Sequence, residues 1–235
     1  MKIIKLLLIA ICFSQVVDGQ AGSNGMDGSL NMNSANFFLV NLKDVKSESV
    51  VNTDAYAGVE GSPFLADNWS YARIMLADGR KFDSILLKLN LYENKIHFKD
   101  ENGRERMIAI QVKQIEITDV LSKWNNAVFV SGYGENANTF YQALTDGKKA
   151  GLLKKMNAII KETKVFNAPV QKSFELQERF FIYAGGTLYQ ESKNCSSLMS
   201  AFKNDSKVTK FISSNDIKCN KEKDLTKLVE YYNSY

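Results

Sequence analysis

Ser84-Ile85-Leu86-Leu87-Lys88-Leu89-Asn90-Leu91-Tyr92, followed two residues later by Lys95-Ile96-His97-Phe98-Lys99, decides the fold. Ile85, Leu87, Leu89 and Leu91 recur at every second position, as do Ile96 and Phe98, so each run has one apolar and one polar face. That period belongs to antiparallel strands buried on one side. The pattern extends over Tyr71–Val130 as short runs at 72–77, 84–92, 95–99, 107–112, 114–118 and 127–130. Asp78-Gly79 and Glu101-Asn102-Gly103 stand between runs, where tight hairpins need residues that tolerate positive φ.

Working outward, the runs at 139–144, 174–176, 179–183 and 187–189 add further strands, with Gly132-Tyr133-Gly134, Thr145-Asp146-Gly147 and Gly185-Gly186 as turns. Upstream, Phe37–Val40 and a segment starting at Val50-Val51 are strand candidates. Residues 150–162 are ambiguous. Leu152, Leu153, Met156, Ile159 and Ile160 fit helical spacing and also a long strand, and their place between two hairpin signals favours the strand. After about residue 190 the period changes. Leu198 and Phe202 behind Asn194 or Ser196, Val208, Phe211 and Ile212 behind Asp205, and Leu225, Leu228, Val229 and Tyr232 behind Asp224 mark three short amphipathic helices. Helices this short need a surface to dock on.

The expected architecture is therefore α+β: an antiparallel β-barrel or β-sandwich of roughly eight to ten strands, followed by a short C-terminal helical segment. Met1–Gly19 has a basic start at Lys2 and Lys5, an apolar run over 6–13, and Val17 and Gly19 at the −3 and −1 places of a cut before Gln20. The apolar run is far below the roughly 20 residues that span a bilayer. The expected organisation is a signal peptide at 1–19, a leader rich in Gly, Ser and Asn at 20–36, a β-rich domain at 37–190 and a helical segment at 191–235. No later segment has the length and apolarity of a transmembrane span. The address this implies is exported: periplasmic, cell-surface or extracellular.

The 235-residue chain carries a formal net charge of +4, and loss of residues 1–19 lowers it by one. A charge so small and dispersed excludes nucleic acid as a partner, which requires a concentrated basic patch. Of three cysteines, Cys12 lies in the signal segment, which leaves Cys195 and Cys219 as a disulfide candidate in an exported chain. Closing that loop contributes on the order of 3 kcal/mol in the loop-entropy account.

Glu60-Gly61-Ser62-Pro63-Phe64-Leu65, Gly79-Arg80-Lys81-Phe82, Leu87-Lys88-Leu89-Asn90-Leu91-Tyr92 and the ending Asp224–Asn233 resemble a family of exported proteins from Bacteroidetes-type bacteria. The resemblance implies a signal-bearing envelope protein with a β-rich body and a helical end. It brings no activity, cofactor or catalytic residue.

Chemistry-bearing constellations are sparse. His97 is the single histidine, so any triad has to use it. Alternation places it with Lys95 and Lys99 on the polar side of its strand, as a solvated residue. No spacing for a zinc or calcium site occurs, and Asp100-Glu101-Asn102-Gly103 reads as a charged hairpin tip. No catalytic, cofactor or metal residue is assigned. Glu175 with Glu178, and Asp54 with Glu60, are the carboxylate pairs open to a glycosidase arrangement. Asn68-Trp69-Ser70-Tyr71 and Tyr231-Tyr232 offer aromatic groups beside polar ones, as sugar- or peptide-binding surfaces do. The expected function is an exported, envelope-associated binding or structural protein without catalytic activity. It would recognise a protein, peptide or glycan of the envelope through a sheet face or edge. The alternative is a carboxylate-dependent hydrolase acting on glycans or other envelope polymers.

Overall fold

The computed structural model describes residues 45–50, 56–134, 136–164, 166–167, 169–192 and 194–235. The signal-like segment, the leader, the strand expected at Phe37–Val40, and Val51 and Asp54 lie outside the described residues. Twelve strands form one sheet: β1 Ser47–Ser49, β2 Val59–Glu60, β3 Ser70–Leu76, β4 Lys81–Asn90, β5 Lys95–Lys99, β6 Glu105–Ile108, β7 Val112–Ile117, β8 Val128–Val130, β9 Tyr141–Thr145, β10 Gly151–Thr163, β11 Gln171–Ala184 and β12 Thr187–Gln190. Three helices follow: α1 Ser196–Met199, α2 Ser206–Ser214 and α3 Glu222–Asn233. The protein is α+β, with a sheet body and a C-terminal helix.

The sheet is open, in the order β1-β6-β5-β4-β3-β7-β8-β9-β10-β11-β12, while β2 runs parallel to β11 at Lys172 and Ser173. Four sheet spacings separate β6 from β7, about 19 Å if the sheet were flat. Yet the four steps from Ile108 to Val112 reach only about 14 Å. The front of the sheet must therefore curl until β6 and β7 face one another. A bulge in β4 contributes: Phe82 opposes Ile74 and Ile85 opposes Ala72, leaving Asp83 and Ser84 against Arg73, with Ser84 at φ 57°. Bulges add local twist and bend a strand.

The same bulge explains why Phe82 and Ile85, three apart, both point inward. The inner face of the curl is filled by Phe82, Leu87, Phe98, Ile74, Ile115 and Phe129, all 2 % exposed or less. The run expected at 107–112 is broken: β6 ends at Ile108, Ala109–Gln111 cross between the facing strands, and β7 begins at Val112. Residues 151–163 are strand. The two runs expected at 174–176 and 179–183 are one strand, β11, paired with β10 from Gly151↔Tyr183 to Thr163↔Gln171. At the N-terminal end the strand is Ser47–Ser49, ahead of Val50.

The β10–β11 arm crosses the open side of the curl. Met156, Ala158 and Phe174 join the front core, and the Ala158 N–H donates to the Leu91 carbonyl at 3.2 Å. Farther along the same inner face, Ala150, Leu152, Phe180 and Ile182 lie under the helices and pack on Leu198, Phe202, Val208, Leu225, Leu228 and Val229. Lys154 marks the border between these two cores. It is 7 % exposed, and its Nζ is 2.9 Å from Glu222 Oε2 in the first turn of α3. Tyr232 is also core, edge-on to Phe202 at 5.0 Å, and Tyr231 stacks on Phe211 at 4.0 Å. Both rings of Tyr231-Tyr232 are thus engaged in packing, Tyr232 buried and Tyr231 half-buried.

Two further ties hold the helices down. Cys195 and Cys219 are bridged, with Cα atoms 5.2 Å apart. Asn233 clamps the start of β10: its Oδ1 accepts from the N–H groups of Lys149 (3.0 Å) and Ala150 (3.2 Å), and its Nδ2 donates to the carbonyls of Ala150 (2.8 Å) and Val229 (3.0 Å). Gly147 is needed there, because a Cβ would lie 2.2 Å from Asn233 Nδ2. Asp205 caps α2 through Lys207 N–H at 2.8 Å. Asp224 does not cap α3, which starts two residues earlier. It sits in the first turn and accepts from Lys218 N–H at 3.1 Å.

Candidate binding face

The outer face of β3, β4 and β5 carries the most concentrated chemistry among the described residues. Ser70 opposes Leu87, so Trp69, one step earlier, faces Lys88. Lys88 in turn opposes His97, and His97 opposes Met107. Side chains directly opposite on one face are within mutual reach. The row is capped by Phe64, which arrives on the segment before β3. Phe64 bridges to Asn90, while the Leu65 N–H donates to the Leu89 carbonyl at 2.9 Å and the Leu91 N–H to the Pro63 carbonyl at 2.7 Å.

Phe64 changes the state of His97. The ring stands edge-on to the imidazole at 5.2 Å, and His97 is only 6 % exposed. The expectation of a solvated histidine is thus corrected: the strand face is right, but a ring from a distant loop covers it. His97 Nδ1 is 2.7 Å from Glu105 Oε1, and Nε2 has no hydrogen-bond partner among the described residues. A carboxylate on Nδ1 fixes the ring's orientation, as the base and its orienter are arranged in a triad. Among the described residues no hydroxyl or thiol lies within hydrogen-bond reach of Nε2.

Trp69 sits between cations. Lys88 Nζ lies 5.2 Å and Lys99 Nζ 4.7 Å from its ring centroid, and Lys88 Nζ is also 5.1 Å from the Phe64 ring. Cation–π contacts of this kind contribute about 0.5–1 kcal/mol at exposed sites. Neither ammonium forms an ion pair among the described residues, in contrast to Lys154, Lys161 and Lys172, each of which meets a glutamate. Glu105 faces Lys99 across β5 and β6, but its carboxylate is on His97, so two like charges share one indole ring with no ion pair to either, an arrangement that attracts an anion. Tyr71, 52 % exposed, and Leu86 continue this face toward Lys99.

Trp69 also opens a groove of about 600 Å³ between residues 62–70 and 119–123. Its walls carry Ser62, Asp67, Asn68, Asp119 and Ser122, with Leu121, 93 % exposed, at the rim. A second opening, of about 240 Å³, lies where β6 and β7 face each other, between Met107–Ile108 and Val112.

Glu175 and Glu178 do not converge. They are three apart on one strand and point to opposite faces. Glu175 pairs with Lys161 at 2.8 Å, and Glu178 lies 3.9 Å from Lys154. Glu60 is on β2, and its proposed partner Asp54 is outside the described residues. Asp100 serves the β5–β6 turn by accepting from the N–H groups of Asn102 and Arg104, both at 2.9 Å. Burial pushes the Tyr133 hydroxyl up to about 12, on the outer face of the rear strands where Tyr133 meets Tyr183 at 4.7 Å. That cluster is ring packing among Tyr133, Tyr141, Phe181 and Tyr183.

Trp69 was legible in the sequence as a surface aromatic. Lys88, Lys99 and Phe64 were not, because only the ladder register shows which polar-face residues stand beside it. No group of three or more His, Cys, Asp or Glu able to hold a metal occurs among the described residues, and no described helix is long and apolar enough to cross a membrane. Comparison of the chain with protein-family models, curated proteins and solved structures finds no match.

Proposed function

We propose that this is a non-catalytic binding protein of the cell envelope that takes an anionic partner on the outer face of β3–β5, centred on Trp69. The observation that carries this reading is the pair of ammonium groups, Lys88 and Lys99, held on one indole ring and in no ion pair among the described residues, the nearby Glu105 being engaged by His97. Lys88 and Lys99 stand on strands paired on both sides, and a preorganised face loses little entropy on binding. Export is supported by the signal-like start and by the Cys195–Cys219 bridge, since disulfides persist in oxidising compartments.

The test is a titration of the purified protein with a panel of polyanions (polygalacturonate, polyglutamate and dextran sulfate), followed by tryptophan fluorescence and calorimetry. Binding should weaken as salt rises, because exposed charges are screened. The Lys88→Ala/Lys99→Ala double variant should bind at least about tenfold more weakly, the loss of roughly 1.4 kcal/mol. Absence of binding to every polyanion at low salt, or equal binding by the double variant, would remove this function.

A further inference from the structure

We infer that the anionic partner is a uronate-bearing glycan, its carboxylates on Lys88 and Lys99 and its hydroxyls in the groove beside Trp69. The inference rests on the binding reading above and adds the ligand's chemistry. Trp69 belongs to both regions, so the cationic pair and the groove form one continuous surface.

Three features separate a sugar chain from other anions. First, the groove presents donors and acceptors together. The Asp67 and Asn68 side chains are exposed and make no hydrogen bond among the described residues, while Ser62 Oγ and Asp119 Oδ1 are held in place by the N–H groups of Phe64 (3.3 Å) and Leu121 (3.0 Å). A hydroxyl both donates and accepts, and a wall of amide, carboxylate and hydroxyl groups matches that dual character. Second, Asp67 and Asp119, with Lys123 as the groove's one cation among the described residues, disfavour a ligand of high charge density such as polyphosphate. They tolerate a sugar acid, which has one carboxylate per ring and can turn carboxylates to Lys88 and Lys99 and hydroxyls to the groove. Third, an extended peptide gains most from pairing with a strand edge. Here β3 is paired on both sides, with β4 and with β7, and offers no edge. Exposed Leu121 and the half-buried Trp69 ring supply apolar surface for the flat face of a pyranose.

The experiment compares hexagalacturonate, its neutral methyl ester and hexaglutamate by calorimetry on the full chain. Hexagalacturonate should bind at least about tenfold tighter than either. Asn68→Ala should weaken hexagalacturonate about fivefold, the effect of one lost hydrogen bond, and leave hexaglutamate unchanged. The melting temperature of the variant checks that its fold is intact, and Asp67→Asn serves as a second groove variant, expected to raise affinity for inorganic polyphosphate. Equal affinity for hexaglutamate or for the ester overturns the glycan assignment and leaves the anionic face standing, as does an Asn68→Ala effect on both acidic ligands alike. Failure of every polyanion in the wider panel removes the face itself.

Discussion

The front and rear of this sheet bury the same side by different means. In front, β3 to β7 curl until the inner face meets itself, and the chain that does this is nearly continuous in sequence. At the rear, β9 to β12 stay open, and their inner face is covered by helices drawn from residues 196–233. Curling needs bulges and short links between distant strands, as at Ser84 and Ala109–Gln111. The long β10–β11 hairpin has neither along its register and cannot close on itself, so it needs a lid. A lid of short helices is weak alone, and here it is tied by the 195–219 bridge, the Lys154–Glu222 pair and Asn233. The difference teaches that helix docking is the less self-sufficient solution and requires local fasteners.

Matched truncations test this contrast hardest. Phe82→Ala in front and Phe202→Ala behind each remove a ring that is 0 % exposed, and each should cost about 3–5 kcal/mol in urea denaturation. Amide exchange should then differ. Phe202→Ala should expose mainly the helices and β9–β12, and Phe82→Ala the whole protein. Identical exchange maps would mean that front and rear unfold as one unit. Next in size, a Cys195→Ser/Cys219→Ser variant should lose about 3 kcal/mol, with protection lost in the helices and retained in β3–β7; loss in β3–β7 would break the distinction. The smallest effect concerns Glu191, at the end of β12. Burial raises its carboxyl above the ordinary range, and Oε2 has no partner among the described residues. A raised carboxyl favours folding below its unfolded pKa, and that contribution is lost as pH rises through the folded pKa. Glu191→Gln should therefore raise the melting temperature at about pH 7, with the gain vanishing below about pH 4.

The hairpins were legible because turn chemistry and period two agree. Asp78-Gly79, Glu101-Asn102-Gly103 and Gly185-Gly186 each join neighbouring strands, and the last has φ of 56° and 82°, as a tight two-residue turn demands. The sheet order was not legible, since no local signal says that β7 pairs with β3 across the curl. Phe82 is hidden for a related reason: the bulge at Ser84 puts it out of phase with Ile85, Leu87 and Leu89. The run at 107–112, with Gln111 its one polar residue, gave no sign of its turn. At the candidate face, the strand side of His97 followed from alternation, but its burial depended on Phe64, and the pairing of Trp69 with two lysines depended on register. Local pattern fixes which way a side chain points; only the assembled sheet fixes its company.

Asn233 stands two residues from the end of the described chain and yet fastens the first residues of β10. The fastening joins residues 83 and 84 positions apart, so the start of β10 is held only once α3 has docked. Gly147, with no side chain in the way, is the keyhole that admits the Asn233 amide.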